Sequence, residues 1–271
     1  MIPYSVAIPS YNRPDVIQKR TLAFLERMEV EPHRVTIFVA DSDQKKMYAR
    51  ALRSNPYRDN IVIAAPTLRA KRNFISQEHY AQGTRLLCID DDLRDLIVRE
   101  PGITPKTPRR DQAHRIRPKE FRALLDKAWE VCEEERLHLW GVYPTSNPLH
   151  MRDGPPTFGL KYIVGAFYGL VVRHSVQLLT HYPIKEDHER TLRFYLKDGG
   201  VVRFPGVGVD TSYFGGTGGL HDKGLEKRFA LSNPQVDILL QEFKGFAVPK
   251  ERTHGEFTFK DVRLLNLPRL L

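Results

Sequence analysis

Four short apolar runs, Ser5–Ile8, Val35–Ala40, Ile61–Ala65 and Leu86–Ile89, alternate with amphipathic segments over the first third of the chain. A strand that is apolar at nearly every position has to be covered on both faces, as it is in an open parallel sheet flanked by helices. The alternation therefore points to a doubly wound α/β arrangement with a mostly parallel central sheet. Helical spacing of apolar residues between the runs marks Val16–Met28, Gln44–Arg53 and Leu68–Gln82. Such sheets take their ligands beyond the carboxyl ends of the strands. Three of those ends are polar: Pro9-Ser-Tyr-Asn-Arg13, then Asp41 with Asp43, then Asp90, Asp91 and Asp92.

The three consecutive aspartates carry the most chemistry. On an extended backbone alternate side chains share a face, so Asp90 and Asp92 converge while Asp91 points away. Two carboxylates with open positions suit Mg²⁺ or Mn²⁺ carrying a diphosphate. A solvated turn or a set of helix caps accounts for the same residues, and both readings stand at this point. Tyr11 is placed to stack on a base, and Asn12 and Arg13 to reach a base edge or phosphates. Arg69, Lys71, Arg72 and Asn73 give the third helix a cationic opening, where N-terminal amides also attract anions.

After the aspartates the pattern changes. Residues Arg99–Pro118 hold four prolines and six arginines or lysines, Arg109, Arg110, Arg115 and Arg117 among them, and read as an exposed, mobile basic loop. Further helices are expected at Pro118–Glu135, Ile184–Leu196 and Val236–Phe243, and strands at Leu139–Tyr143, Tyr162–Val172 and Val201–Phe204. Gly165 and Gly169 within the strand at Tyr162–Val172 imply close approach of a ligand or another backbone, with Tyr168 beside them. Residues Tyr213–Gly224 are glycine-rich and read as a flexible loop carrying His221.

Composition limits the partners. A formal net charge of +9 favours a polyanion. No apolar run is long enough for a membrane helix, and a strand beginning at Tyr4 leaves no room for a signal peptide. Cys88 and Cys132 show no metal or redox spacing, in keeping with a reducing cytoplasm.

Val6-Ala-Ile-Pro-Ser-Tyr-Asn-Arg13, Cys88-Ile-Asp-Asp-Asp92 and Lys185-Glu-Asp-His188, in this order, resemble the inverting family 2 glycosyltransferases of the GT-A fold. With Phe38-Val-Ala-Asp41 and Lys71-Arg-Asn-Phe-Ile75 added, the set is similar to the TET-associated DNA glycosyltransferases of bacteriophages. The resemblance implies one GT-A domain over residues 1–271, with a nucleotide-sugar half at 1–98, a catalytic half at 119–232 and an extension at 233–271. It implies transfer from a UDP-sugar to the hydroxymethyl group of 5-hydroxymethylcytosine, or a related pyrimidine, in double-stranded phage DNA within the host cytoplasm. The donor would meet Pro9, Tyr11, Asn12, Arg13, Asp41, Arg69, Arg72, Asp90 and Asp91. Asp92, Asp90 and His221, with His254 as alternative, would hold the metal, and Asp187 with Glu186 would supply the base. Helix capping explains the last two acids equally well. Tyr168 and Gly165 would meet a base taken out of the stack, and Arg109, Arg110, Arg115 and Arg117 its phosphates. A glycosyltransferase for saccharides or proteins, and a DNA-binding module without chemistry, remain the alternatives.

Overall fold

The computed structural model describes residues 2–211, 225–254 and 257–270, without the side chains of residues 225–232, 254 and 257. Strands β1 (Ser5–Pro9), β2 (Val35–Val39), β3 (Ile61–Ile63) and β4 (Arg85–Ile89) pair in parallel in the order β3-β2-β1-β4. Both faces are buried, as the unbroken apolar runs demand. On one face Val6, Ile8, Ile37 and Leu87 pack with Ile17, Phe24 and Trp129 from the helices. On the other, Ala7, Phe38, Leu86 and Cys88 pack with Ile75, Leu192 and Phe194.

The connections are helical, with two irregularities that a 3.6-residue period does not reveal. After α1 (Pro14–Ile17) the chain widens into a π turn at Gln18–Leu22 before α2 (Ala23–Arg27). After α3 (Ser42–Ala51) and α4 (Leu68–Phe74) a second π turn covers Ile75–His79. Inserted π turns shift the phase of a helix and often mark positions with a special task.

Beyond β4 the sheet continues through β5 (Asp95–Arg99), β6 (Ala113–Arg115), α5 (Pro118–Glu134), β7 (Leu139–Tyr143), β8 (Phe167–Val171), α6 (Glu186–Asp198) and β9 (Val202–Asp210). The full order is β3-β2-β1-β4-β8-β7-β9-β5-β6. The pairings leave β5 and β8 alone running against the rest, so the sheet is mostly parallel in direction. A helix α7 (Leu225–Glu242) and a separate hairpin of β10 (Ala247–His254) and β11 (Phe257–Leu264) complete the described chain.

Two expectations need correction here. Residues 99–118 are not a loop throughout, because Ile97, Val98 and Arg99 pair with Arg115, His114 and Ala113. The strand expected from Tyr162 begins only at Phe167, and its glycines receive side chains rather than a ligand. A Cβ on Gly169 would lie 2.0 Å from Trp140 Nε1, and one on Gly165 would lie 2.7 Å from Arg72 Nη1. Among the described residues no helix is long and apolar enough to cross a membrane.

Candidate active site

The three aspartates stand just past β4 in a turn rather than in an extended strand. Thr21, 0% exposed on the first π turn, holds this turn shut. Its hydroxyl donates to the carbonyl of Asp90 at 2.7 Å and accepts from the N–H of Leu93 at 3.1 Å. The turn, not strand alternation, sets where the acids point.

Asp91 faces inward. It accepts from Ser10 Oγ at 2.5 Å and from Arg13 Nη1 at 3.1 Å, and Tyr48 OH lies 2.6 Å from Ser10 Oγ. Burial pushes its carboxyl up to about 6, against the opposing charge of Arg13. Asp91 is therefore a packing acid of the β1–α3 corner, which corrects its expected contact with a donor. Asp92 accepts from Thr211 Oγ1 at 2.5 Å and lies 3.4 Å from Arg13 Nη1. Asp90 keeps the most exposed carboxylate of the three, with 30% of its side chain accessible. Burial raises its pKa, with the charge of Arg72 opposing.

The first turn of β1's loop is committed locally. Asn12 adopts a left-handed backbone (φ 54°), and its N–H donates to Gln44 Oε1 at 3.0 Å. Gln44 Nε2 returns a bond to Asn12 Oδ1, so that amide is engaged with α3 rather than directed to a ligand. Asp41, exposed at the end of β2, caps α3 by accepting from the N–H groups of Asp43 and Gln44 at 3.0 and 2.8 Å. Tyr11 is 38% exposed beside Pro9 and Arg13. Below it Lys71, 2% exposed, donates to Ser10 O at 2.7 Å, and its Nζ lies 5.9 Å from the Tyr11 ring centroid. Burial lowers the Lys71 ammonium to about 8, while Asp91 and Asp41 oppose the shift. Arg69 at the start of α4 keeps a buried Nε without a hydrogen-bond partner.

Arg72 joins this region to α6. Its guanidinium donates to Asp90 Oδ1 at 2.6 Å, to Gly165 O at 2.9 Å and to Glu186 Oε1. Arg190, one turn further along α6, donates to the other Glu186 oxygen at 3.0 Å and lies 3.7 Å from the Tyr168 ring centroid. Arg72 and Glu186 are 7% and 6% exposed. These positions correct two expectations: Arg72 is a buried bridge, not an open phosphate contact, and Glu186 is its counter-ion, not a base. Tyr168, 2% exposed under Arg190, offers no face to an extruded base, and Gly165 makes room for Arg72.

Asp187 is placed differently. It follows Lys185, the left-handed N-cap (φ 69°), and stands in the first turn of α6 with 21% of its side chain accessible. Oδ2 accepts from Tyr162 OH at 2.5 Å, and Oδ1 from the N–H and Nδ1 of His188 at 2.9 and 3.0 Å. Burial alone would raise this carboxyl. The charge and hydrogen bond of His188, the Tyr162 hydroxyl and the charge of Arg190 outweigh it and hold Asp187 well below the usual carboxylate range. Lys185 holds the N-cap position without a side-chain bond, so Asp187 is not the N-cap, although its Oδ1 does satisfy one first-turn N–H, that of His188.

The basic segment splits in two. β5 descends from the aspartate turn, so residues 100–112 lie one strand length, roughly 17 Å, from the acids, at the other end of the sheet. Arg109 and Arg110 are there, apart from the acids. Arg115 and Arg117 return toward the acids, near Asp95 (3.6 Å) and Glu120. His221 lies outside the described residues, as does the side chain of His254.

The donor set fits a divalent cation in kind: two carboxylates on one turn, hard oxygen ligands that leave room for water and phosphate oxygens. Among the described residues no third carboxylate, histidine or cysteine joins them in a metal-sized group. Sequence reasoning missed the roles of Thr21, Tyr162 and Thr211, and it saw Lys71 as part of a cationic helix opening but not as a buried donor to Ser10 O.

No known protein family's sequence profile matches this chain, and no curated protein matches it. Its fold is similar to that of S. aureus TarS 1–349 in complex with UDP-GlcNAc, at 14% identity and a TM-score of 0.55, over 88% of this chain and 67% of that one. It is also similar to the mannosyltransferase PcManGT from Pyrobaculum calidifontis in complex with GDP-Man and Mn²⁺, at 12% identity and a TM-score of 0.53, over 89% of this chain and 65% of that one. The chain spans about two thirds of the length of these structures. The likeness establishes the fold, an α/β arrangement of the GT-A type.

Proposed function

We propose that the chain is a glycosyltransferase that moves a sugar, with inversion, from a UDP-sugar to the hydroxymethyl group of a 5-hydroxymethylpyrimidine in DNA. One observation carries the reading: on a GT-A fold, Arg72 joins the turn bearing Asp90 and Asp92 to the helix bearing Asp187. That brings a pair of metal-type carboxylates and a separate, partly exposed carboxylate to the same end of the sheet. The neighbours with UDP-GlcNAc and with GDP-Man and Mn²⁺ make a nucleotide sugar the natural donor class.

In the reaction the acceptor oxygen bonds to the anomeric carbon while the bond from that carbon to the diphosphate oxygen breaks. The hydroxyl proton passes to Asp187, which sits ionised and within reach of a hydroxyl. Tyr11 and Asp41, both exposed at the ends of β1 and β2, would face the nucleotide, with Arg13, Lys71 and Arg69 as the cations of that corner. A divalent cation held by Asp90 and Asp92 would neutralise the charge that develops on the leaving diphosphate. Support for DNA as acceptor comes from the sequence resemblance, the net charge of +9 and the basic side chains of Arg115 and Arg117. A saccharide or protein hydroxyl is the second reading, favoured by the burial of Tyr168 and the distance of Arg109 and Arg110 from the acids.

The test is UDP release with Mn²⁺ and a panel of UDP-sugars, in the presence of duplex DNA carrying 5-hydroxymethylcytosine or plain cytosine. Release that needs the hydroxymethyl group supports the DNA reading. Release that follows an oligosaccharide instead moves the acceptor, and no release with any donor refutes the glycosyltransferase reading.

A further inference from the structure

Asp187 has hydrogen bonds on both of its oxygens. Oδ1 is tied to its own helix, through the N–H of His188 at 2.9 Å and Nδ1 at 3.0 Å. A carboxylate only accepts, so Nδ1 carries a proton. Oδ2 is the oxygen left for a substrate, and the hydroxyl of Tyr162 stands on it at 2.5 Å. An acceptor hydroxyl must come within about 2.6–3.2 Å of the base to give up its proton, and Tyr162 already stands inside that reach. The phenol and the acceptor are chemically alike at this point, each an O–H donor to a carboxylate.

We infer that Tyr162 occupies the acceptor's place on Asp187 and keeps water from being activated there until the acceptor displaces it. The inference rests on Asp187 being the base, as proposed above. Tyr162 is suited to move, because it belongs to no strand or helix and is only partly buried. Its ring stacks on that of His188, with centroids 4.3 Å apart and planes at 28°. His188 in contrast belongs to α6 and is buried, so the histidine stays while the tyrosine rotates. Donor hydrolysis and transfer share one proton path: water or acceptor gives a proton to Asp187 as its oxygen bonds to the anomeric carbon and UDP departs. A residue that blocks Oδ2 against a small, weakly held molecule but yields to a bound acceptor separates the two.

Tyr162→Phe removes the hydroxyl and keeps the ring on His188. We expect UDP release without acceptor to rise by about tenfold or more, the factor associated with a hydrogen bond to an ionised group, so that hydrolysis rises relative to transfer to hydroxymethylated duplex DNA. Adding Asp187→Asn to that variant should return release to the parent's basal level or below. Equal loss of hydrolysis and transfer in Tyr162→Phe overturns the inference in favour of a relay or purely positioning role. Unchanged hydrolysis overturns it too, as does extra release that survives Asp187→Asn. Thermal unfolding of the variant must match the parent; a loss of stability that tracks the kinetic change assigns Tyr162 to the scaffold and also overturns it. If the parent releases no UDP with DNA or oligosaccharide acceptors, the functional reading fails first and this inference with it.

Discussion

Thr21→Val is the substitution that most directly probes how the acid turn is held. Valine has nearly the shape of threonine, so the change deletes a hydroxyl and leaves the volume. Thr21 is 0% exposed, and water does not replace what is lost. The N–H of Leu93 is left with the carbonyl of Asp90 at 3.5 Å, too long to be a good bond. A stranded buried donor costs about 1–3 kcal/mol, and the lost bond from Thr21 to Asp90 O about 1 more. The sum, about 2–4 kcal/mol, corresponds to a drop in unfolding midpoint of about 5–15 °C for a chain of this size. Urea unfolding measures the first quantity and calorimetric titration with UDP the functional one, since the turn that presents Asp90 and Asp92 is no longer pinned. Thr21→Ser keeps the hydroxyl and should lose only about 1 kcal/mol for the methyl group. Stability of Thr21→Val within about 0.5 kcal/mol of the parent, with unchanged UDP affinity, would refute the reasoning. So would a serine variant as damaged as the valine one.

Asp187→Asn should cut transfer by a factor on the order of 10²–10⁴ while UDP-sugar affinity, measured calorimetrically, is kept. Gly165→Ala places a methyl 2.7 Å from Arg72 Nη1 and should cost about 1–3 kcal/mol. A weaker hold on Asp90 should raise the KM for the donor; an unchanged KM counts against the bridge. Burial raises the Asp261 carboxyl, but the charge and hydrogen bond of Lys185 outweigh it and hold Asp261 below its ordinary 3.8. An acid held low in the folded state favours folding above its unfolded pKa and loses that contribution as pH falls, so urea stability should decline below about pH 4. Asp261→Asn should flatten that part of the profile. If DNA is the acceptor, replacing Arg115 and Arg117 should lessen the steepness of the salt dependence of binding by about 1–2 in slope. Replacing Arg109 and Arg110 should leave transfer near the parent value.

The central strands were readable because burial on both faces leaves a mark on consecutive residues: Val35–Val39 is apolar almost throughout, and so is Leu86–Ile89. The position of the acids followed from the same logic, since strand ends are where polar residues become affordable. β5 and β6 were not readable, because Asp95, Arg99, His114 and Arg115 break the apolar pattern, and β5 pairs only with strands distant or irregular in sequence, β9 on one side and the edge strand β6 on the other. Gly165 announced a close approach but not by what, and the answer, Arg72, is 93 residues away in the chain. Tyr162 lies on the part of an expected strand that is irregular, and only its hydroxyl's partner gives it a role. Thr21 is a buried polar residue on an apolar helix face; nothing local distinguishes it from a threonine bonded to its own helix.

The bridge formed by Arg72 bears on how such an enzyme could be recombined. Arg72 comes from the part of the chain next to the aspartate turn, and Glu186 with Arg190 from the part that carries Asp187. A hybrid that took its first half from one protein and its second from another would keep the Arg72–Asp90 and Arg190–Glu186 pairs but lose the buried bond from Arg72 to Glu186 between them, at about 1–3 kcal/mol. The two parts are therefore not freely interchangeable modules. Donor preference and acceptor preference can be re-sorted only between parents in which this cation and this acid travel together.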